Sequence, residues 1–392
     1  MIMQISEIQK ALRDEKLDGW LFFDHHTRDP LAYRILKLNP TRTMTRRWYY
    51  LIPTHGEPKG LVHAIESGVL AGLPGKTKIY SSWAAQVDGL KSLLEGCGRV
   101  AMQYSPNCAI PYVSLVDGGT LELVRSAGVE VVTSANLVQL FEARWTAEQL
   151  EMHLEAGRQV DRIRAAAFQT IGTALTANRT INEWQVNRFI RAAFEKSGLV
   201  TDHGPIVGVN ANMSNPHYEP AAEGSREIRK GDAVLIDMWA KLDRPGAVFY
   251  DITWTGYCGP EAPSAIQNVF AVVRDARDRA VDRVQSAVRK NESIHGFDVD
   301  DAARGYIQEK GFGEYFVHRT GHSIGEEVHG TGANMDNLET HDERKIIAGT
   351  CFSVEPGVYL PEFGIRSEVN VYVSPGEARV TGEKQQKLVA IL

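Results

Sequence analysis

Four β-patterned segments of this chain each bring a carboxylate to an apolar strand, and that repetition restricts the fold more than any other feature. Ala233-Val234-Leu235-Ile236 runs into Asp237, and Val248-Phe249-Tyr250 runs into Asp251. Cys351-Phe352-Ser353-Val354 runs into Glu355, where Pro356-Gly357 stops the segment. Gly364-Ile365-Arg366-Ser367-Glu368-Val369-Asn370-Val371-Tyr372 alternates, which puts Arg366, Glu368 and Asn370 on one face. A buried Asp or Glu is rare unless it is paired or binds a cation. One such acid could be a turn residue or the partner of a nearby Arg, but several inward acids require positive charge between them.

The histidines supply the second half of the pattern. His318, His322 and His329 lie in a stretch broken by Gly321, Ser323 and Gly325, which are poor helix residues. The glutamate of a helical H-E-x-x-H zinc motif is missing, so a loop or strand is expected there. His217 follows the turn-rich Asn210-Ala211-Asn212-Met213-Ser214-Asn215-Pro216 and can be carried to a site by that loop. Asp237, Asp251, His322, Glu355 and Glu368 together read as a two-metal hydrolase centre. Their charge of about −4 would face about +4 from two divalent cations, with a hydroxide between them. Mainly oxygen ligands with one imidazole suit Mn²⁺ or Co²⁺, and Zn²⁺ is compatible.

The order Asp, Asp, His, Glu, Glu, with the three histidines ahead of the V-E-P-G and G-I-R-x-E segments, resembles the pita-bread metallopeptidases, among them prolidase (Xaa-Pro dipeptidase) and aminopeptidase P. The resemblance covers roughly residues 146 to 392. It implies an α+β chain in which a pita-bread catalytic domain, residues 144–392, has a curved antiparallel sheet with metals on its concave face. A smaller creatinase-like α/β domain, residues 1–143, precedes it. The resemblance further implies that Asp237 chelates one metal, that Asp251 and Glu368 bridge both, and that His322 and Glu355 complete the second. Glu355 would double as proton shuttle. His217, His318 and His329 would line the substrate-facing rim, and Arg366 would brace the ligands and the substrate carboxylate. Creatinase shares the fold without metals, and the complete ligand set argues against that activity.

Some positions depart from the family pattern. Trp239 stands where glycine is common, Trp254 follows Asp251-Ile252-Thr253 where arginine is common, and residues 241–246 form an insertion between the two Asp ligands. Gly330 and Val369 replace frequent acids. No ligand is lost, but the groups that orient the ligands differ.

The remaining sequence bounds the alternatives. A chain of 392 residues with net charge −6 suits two domains and has no basic run for nucleic acid or anionic membrane. The amino terminus has no apolar signal region and no apolar stretch approaches membrane length, so a cytoplasmic protein is expected. Cys97, Cys108, Cys258 and Cys351 lack C-x-x-C spacing and read as reduced thiols. Strands are expected at Gly19 to Phe23, Trp48 to Ile52, Lys78 to Tyr80, Arg99 to Met102 and Val129 to Val132, with His25, His26 and Arg28 in a solvated loop. Capping boxes at Thr146-Ala147-Glu148-Gln149 and Thr180-Ile181-Asn182-Glu183 predict helix starts. Further helices are expected from about Ala265 to Arg289 and from Val299 to Glu309. The leading expectation is a homodimeric hydrolase that cleaves Xaa-Pro dipeptides through a metal-bridging hydroxide. Aminopeptidase P activity on Xaa-Pro-Yaa peptides and a non-catalytic binding module are the alternatives.

Overall fold

The computed structural model describes residues 5–392, so the first four residues of the expected N-terminal domain lie outside it. The chain divides into two compact units, Met1–Glu142 and Ala143–Leu392.

The first unit is built on a six-stranded sheet ordered Lys76–Tyr80, Lys59–His63, Trp48–Pro53, Gly19–Asp24, Arg99–Met102, Glu130–Thr133. Gly19–Asp24 is antiparallel to Trp48–Pro53 and parallel to Arg99–Met102, so the sheet is mixed. Its central strands are buried on both faces. Trp20, Phe22 and Tyr50 pack into one apolar cluster, while Leu21, Phe23 and Tyr49 pack into another. That double burial is why these strands read as continuous hydrophobic runs. The expected strands are present within a few residues of their predicted ends.

In the second unit, alternation along two long strands decides which residues can form a site. Ala233–Leu242 and Tyr250–Tyr257 pair antiparallel with Thr253 opposite Asp237 and Asp251 opposite Trp239. Val234, Ile236, Met238 and Ala240, with Tyr250 and Ile252 from the partner strand, join the apolar cluster of helices Ala147–Thr176 and Glu183–Lys196. The intervening side chains, Asp237, Trp239, Asp251 and Thr253, must therefore point to the opposite face. A second sheet repeats the arrangement. Phe352, Val354, Val369 and Val371 pack with helices Ser264–Lys290 and Gly296–Glu309, leaving Ser353 and Asn370 on the other side. Among the described residues no helix is long and apolar enough to cross a membrane.

The helix Ala147–Thr176 begins at the expected capping box, Thr146 with Gln149. The second box is displaced. Asn182, with Gln185, caps Glu183–Lys196, and Thr180 does not. Glu183 is fully buried and accepts hydrogen bonds from Val209 N, Asn212 Nδ2, Tyr218 Oη and Arg226 N, at 2.6–2.8 Å. Its carboxylate ties down the loop that carries His217, so it is not free to close a capping box. Gly198 ends the helix in the left-handed region, φ 67°, as expected.

His153, on the inner side of the long helix, is fully buried between Trp145 and Tyr250. Its Nδ1 lies 2.7 Å from Phe249 O and its Nε2 lies 2.6 Å from Thr381 Oγ1. Burial pushes the imidazole down to about 4. The unfolded chain therefore takes up a proton that the folded chain refuses as pH falls from about 6.5 to about 4, and stability drops through that window. His153→Gln should remove on the order of 3 kcal/mol of this acid-side loss, read as a shallower pH dependence of urea unfolding. Parallel wild-type and variant curves would contradict it.

Candidate metal centre

The inner faces of the two sheets bring together Asp237, Asp251, His322, Glu355 and Glu368. Ligand atoms of Asp251, His322 and Glu368 all lie within 4.8 Å of one another. His322 Nε2 stands 3.5 Å from Asp251 Oδ2 and 3.4 Å from Glu355 Oε1. Asp237 joins them from the neighbouring strand, two register positions from Asp251.

Three of the four acids have one oxygen held by a side-chain donor. Asp237 Oδ2 accepts from Arg366 Nη2 at 2.5 Å, Glu368 Oε2 from Thr253 Oγ1 at 2.8 Å, and Glu355 Oε1 from Ser353 Oγ at 3.2 Å. Asp237 Oδ1, Asp251 Oδ1 and Glu368 Oε1 are buried without any hydrogen-bond partner. Orphaned buried carboxylate oxygens are costly and normally receive a proton or a cation. Burial, reinforced by the neighbouring acids, pushes the Asp251 and Glu368 carboxyls far up, and burial pushes Glu355 up to about 7.

The histidine tautomer points to a cation. His322 Nδ1 lies 3.1 Å from the Ser323 carbonyl, which can only accept, so Nδ1 carries the proton. Burial pushes this imidazole down and keeps it neutral. Nε2 consequently turns a lone pair towards two carboxylate oxygens. Lone pairs from an imidazole and several carboxylates converging on one volume form the donor set of a divalent metal.

Arg366 and His318 are linked to the carboxylate cluster through Asp237 and Tyr359. Arg366 is 3% exposed, and besides Asp237 it donates to Thr253 Oγ1 at 3.0 Å and to Tyr359 Oη at 2.9 Å. Burial alone would lower its pKa, but Tyr359, Asp237 and Glu355 raise it well above the usual value, so the charge is firm. Its guanidinium thus has three buried partners, Asp237, Thr253 and Tyr359. His318 Nδ1 donates to the Arg319 carbonyl at 2.7 Å, so Nε2 accepts from Tyr359 Oη at 2.6 Å. Burial and Arg366 push His318 down to about 3, leaving it neutral.

His217 and His329 are exposed. His329 stands edge-on to His322 with ring centroids 4.4 Å apart. Sequence reading missed Thr253, Ser353 and Tyr359. Thr253 carried a usable signal, since a residue two beyond Asp251 on a strand shares its face. Thr253→Val keeps the shape and removes the hydroxyl that Glu368 and Arg366 share. It should raise the Mn²⁺ concentration needed for half of the metal-induced thermal shift by about 10–100-fold. An unchanged Mn²⁺ midpoint would contradict this role.

The profile of metallopeptidase family M24 matches residues 151–375. An Xaa-Pro dipeptidase of Lactobacillus delbrueckii subsp. lactis is 27% identical over 224 residues, 57% of this chain and 55% of that protein. An Xaa-Pro dipeptidase of Pyrococcus furiosus is 30% identical over 186 residues, 47% of this chain and 48% of that protein. The matched region thus spans about half the length of these curated relatives. Among solved structures, dipeptidase PepE from Mycobacterium ulcerans superposes with TM-score 0.70 and 23% identity, covering 99% of this chain and 96% of that one. Prolidase from Thermococcus sibiricus gives TM-score 0.63 and 21% identity, covering 99% and 98%. At these identities the superpositions establish the fold, a pita-bread unit preceded by a smaller α/β unit.

Proposed function

Because the chain belongs to metallopeptidase family M24, we propose that it is a divalent-metal dipeptidase that cleaves Xaa-Pro dipeptides. The observation that carries this reading is the convergence of Asp237, Asp251, His322, Glu355 and Glu368 with three buried carboxylate oxygens left unpartnered. These five residues would hold two ions, Mn²⁺ or Co²⁺ in preference to Zn²⁺. When bound, the ions would supply a water of low pKa as nucleophile and a Lewis acid for the scissile carbonyl.

The chain's own groups do the rest. Glu355, beside His322 and Ser353, takes the proton of the attacking water at its carboxylate and returns it to the leaving nitrogen. Arg366, through Thr253 and Tyr359, keeps Asp237 and Glu368 in register. His217 and His329, open to solvent, are the groups able to donate to the carbonyl oxygen or the substrate carboxylate. The Xaa-Pro bond is a tertiary amide without an N–H. A site that grips the bond through its carbonyl asks for no such donor, which fits a proline leaving group. The names of the Xaa-Pro dipeptidase relatives favour the same substrate.

The reading includes two domains, residues 1–143 and 144–392, and a homodimer, the latter on the family resemblance. It also includes a cytoplasmic location, supported by four unpaired cysteines. The test is hydrolysis by metal-reconstituted protein of Xaa-Pro dipeptides, Xaa-Pro-Yaa tripeptides and dipeptides without proline. Xaa-Pro should exceed Xaa-Pro-Yaa in kcat/KM by at least about tenfold, or ~1.4 kcal/mol. Equal rates on tripeptides would make aminopeptidase P the better description. Glu355→Gln should lower kcat by at least about 100-fold with metal content confirmed, and retained kcat would move the proton role elsewhere.

A further inference from the structure

Trp239 stands on the site face of its strand, two residues beyond Asp237 and opposite Asp251 in the ladder. A large, partly exposed indole at that position forms a wall beside the carboxylates. Gly204, at φ +58°, packs under it so tightly that a Cβ there would come within 2.6 Å of the ring. The indole is therefore fixed by its surroundings, and its one polar atom has a defined direction. Nε1 donates to Asp202 Oδ1 at 2.7 Å.

Asp202 receives a second bond to the same oxygen from His203 N at 2.8 Å, and His203 Nδ1 lies 3.3 Å from Oδ2. Its side chain is 41% exposed, so the carboxylate is open to an incoming group. Burial would raise its pKa, but the bonds from Trp239 and His203 lower it below the usual value and keep it ionised. Through Trp239, which pairs with Asp251 in the ladder, Asp202 is tied to the strand that carries Asp237.

The buried acids face inward, towards the volume where cations are expected. Asp202 is instead a solvent-open acid held by an indole on the site face of its strand. On the dipeptidase reading above, the substrate enters with a free α-ammonium close to the bond to be cut. We propose that Asp202 binds the α-ammonium of the substrate and that Trp239 is the positioning residue that aims it. The contact is an ammonium to carboxylate hydrogen bond, charge-assisted and specific for an unblocked amino terminus. Because Asp202 is partly solvated, its contribution is moderated by screening. Selection is thus exerted in binding, and the chemical step is left to Glu355 and the metal ligands.

The experiment uses the Mn²⁺-loaded full chain, with kcat and KM for Ala-Pro and the inhibition constant of N-propionyl-proline, which has the same outline without the ammonium. Asp202→Asn should raise KM for Ala-Pro by about tenfold, hold kcat within about twofold, and leave the N-propionyl-proline constant unchanged. Trp239→Phe, which keeps a ring and loses the N–H, should shift KM in the same direction by a smaller factor. An unchanged KM in Asp202→Asn, with wild-type protein active, overturns this inference alone. So does an equal shift in KM and in the N-propionyl-proline constant, which would mark Asp202 as merely structural. A wild-type protein that hydrolyses no Xaa-Pro peptide overturns the dipeptidase reading and this inference with it.

Discussion

The structure depends on one electrostatic constraint, the burial of four carboxylates and an imidazole on facing inner surfaces of β-sheets. Isolated anions cannot remain in such a place, because desolvation exceeds any gain from packing around them. The fold meets the constraint in two stages. Thr253, Ser353 and Arg366 each satisfy one oxygen of a particular acid. The remaining oxygens of Asp237, Asp251 and Glu368 are left without partners. A protein that merely needed to tolerate buried acids would satisfy both.

The rest of the architecture positions that cluster. Alternation on Ala233–Leu242 and Tyr250–Tyr257 sends apolar side chains outward to the helices and polar ones inward. Two strands then supply Asp237, Asp251 and Thr253 at fixed register. Asp237, Arg366, Tyr359 and His318 form a continuous hydrogen-bonded chain from an Asp237 carboxylate oxygen to a loop carbonyl. Such a chain fixes orientation, since each member has its donor and acceptor assigned by the next.

Much of this was legible in the residues, for a physical reason. Strand alternation has a period of two, so an acid after an apolar run declares its face, as Asp237 and Asp251 did. The long helix after Thr146 was equally clear, because its cap and its apolar spacing agree. What could not be read were contacts between distant segments. Glu183 looked like the end of a capping box, whereas it is the buried acceptor that anchors the loop before His217. Arg366 was legible as a brace on the face of Glu368, whereas its contacts to Thr253 and Tyr359 became apparent in three dimensions. Trp239 was visible only as an unusual residue, and its bond to Asp202 became apparent in three dimensions.

The central claim is that the unpartnered oxygens exist to bind cations, and anomalous diffraction from crystals grown with Mn²⁺ tests it most directly. The account predicts two manganese peaks per chain, with Asp237 Oδ1, Asp251 Oδ1, Glu368 Oε1 and His322 Nε2 among their ligands. An absence of peaks, with the acids protonated and hydrogen-bonded to one another, would contradict it.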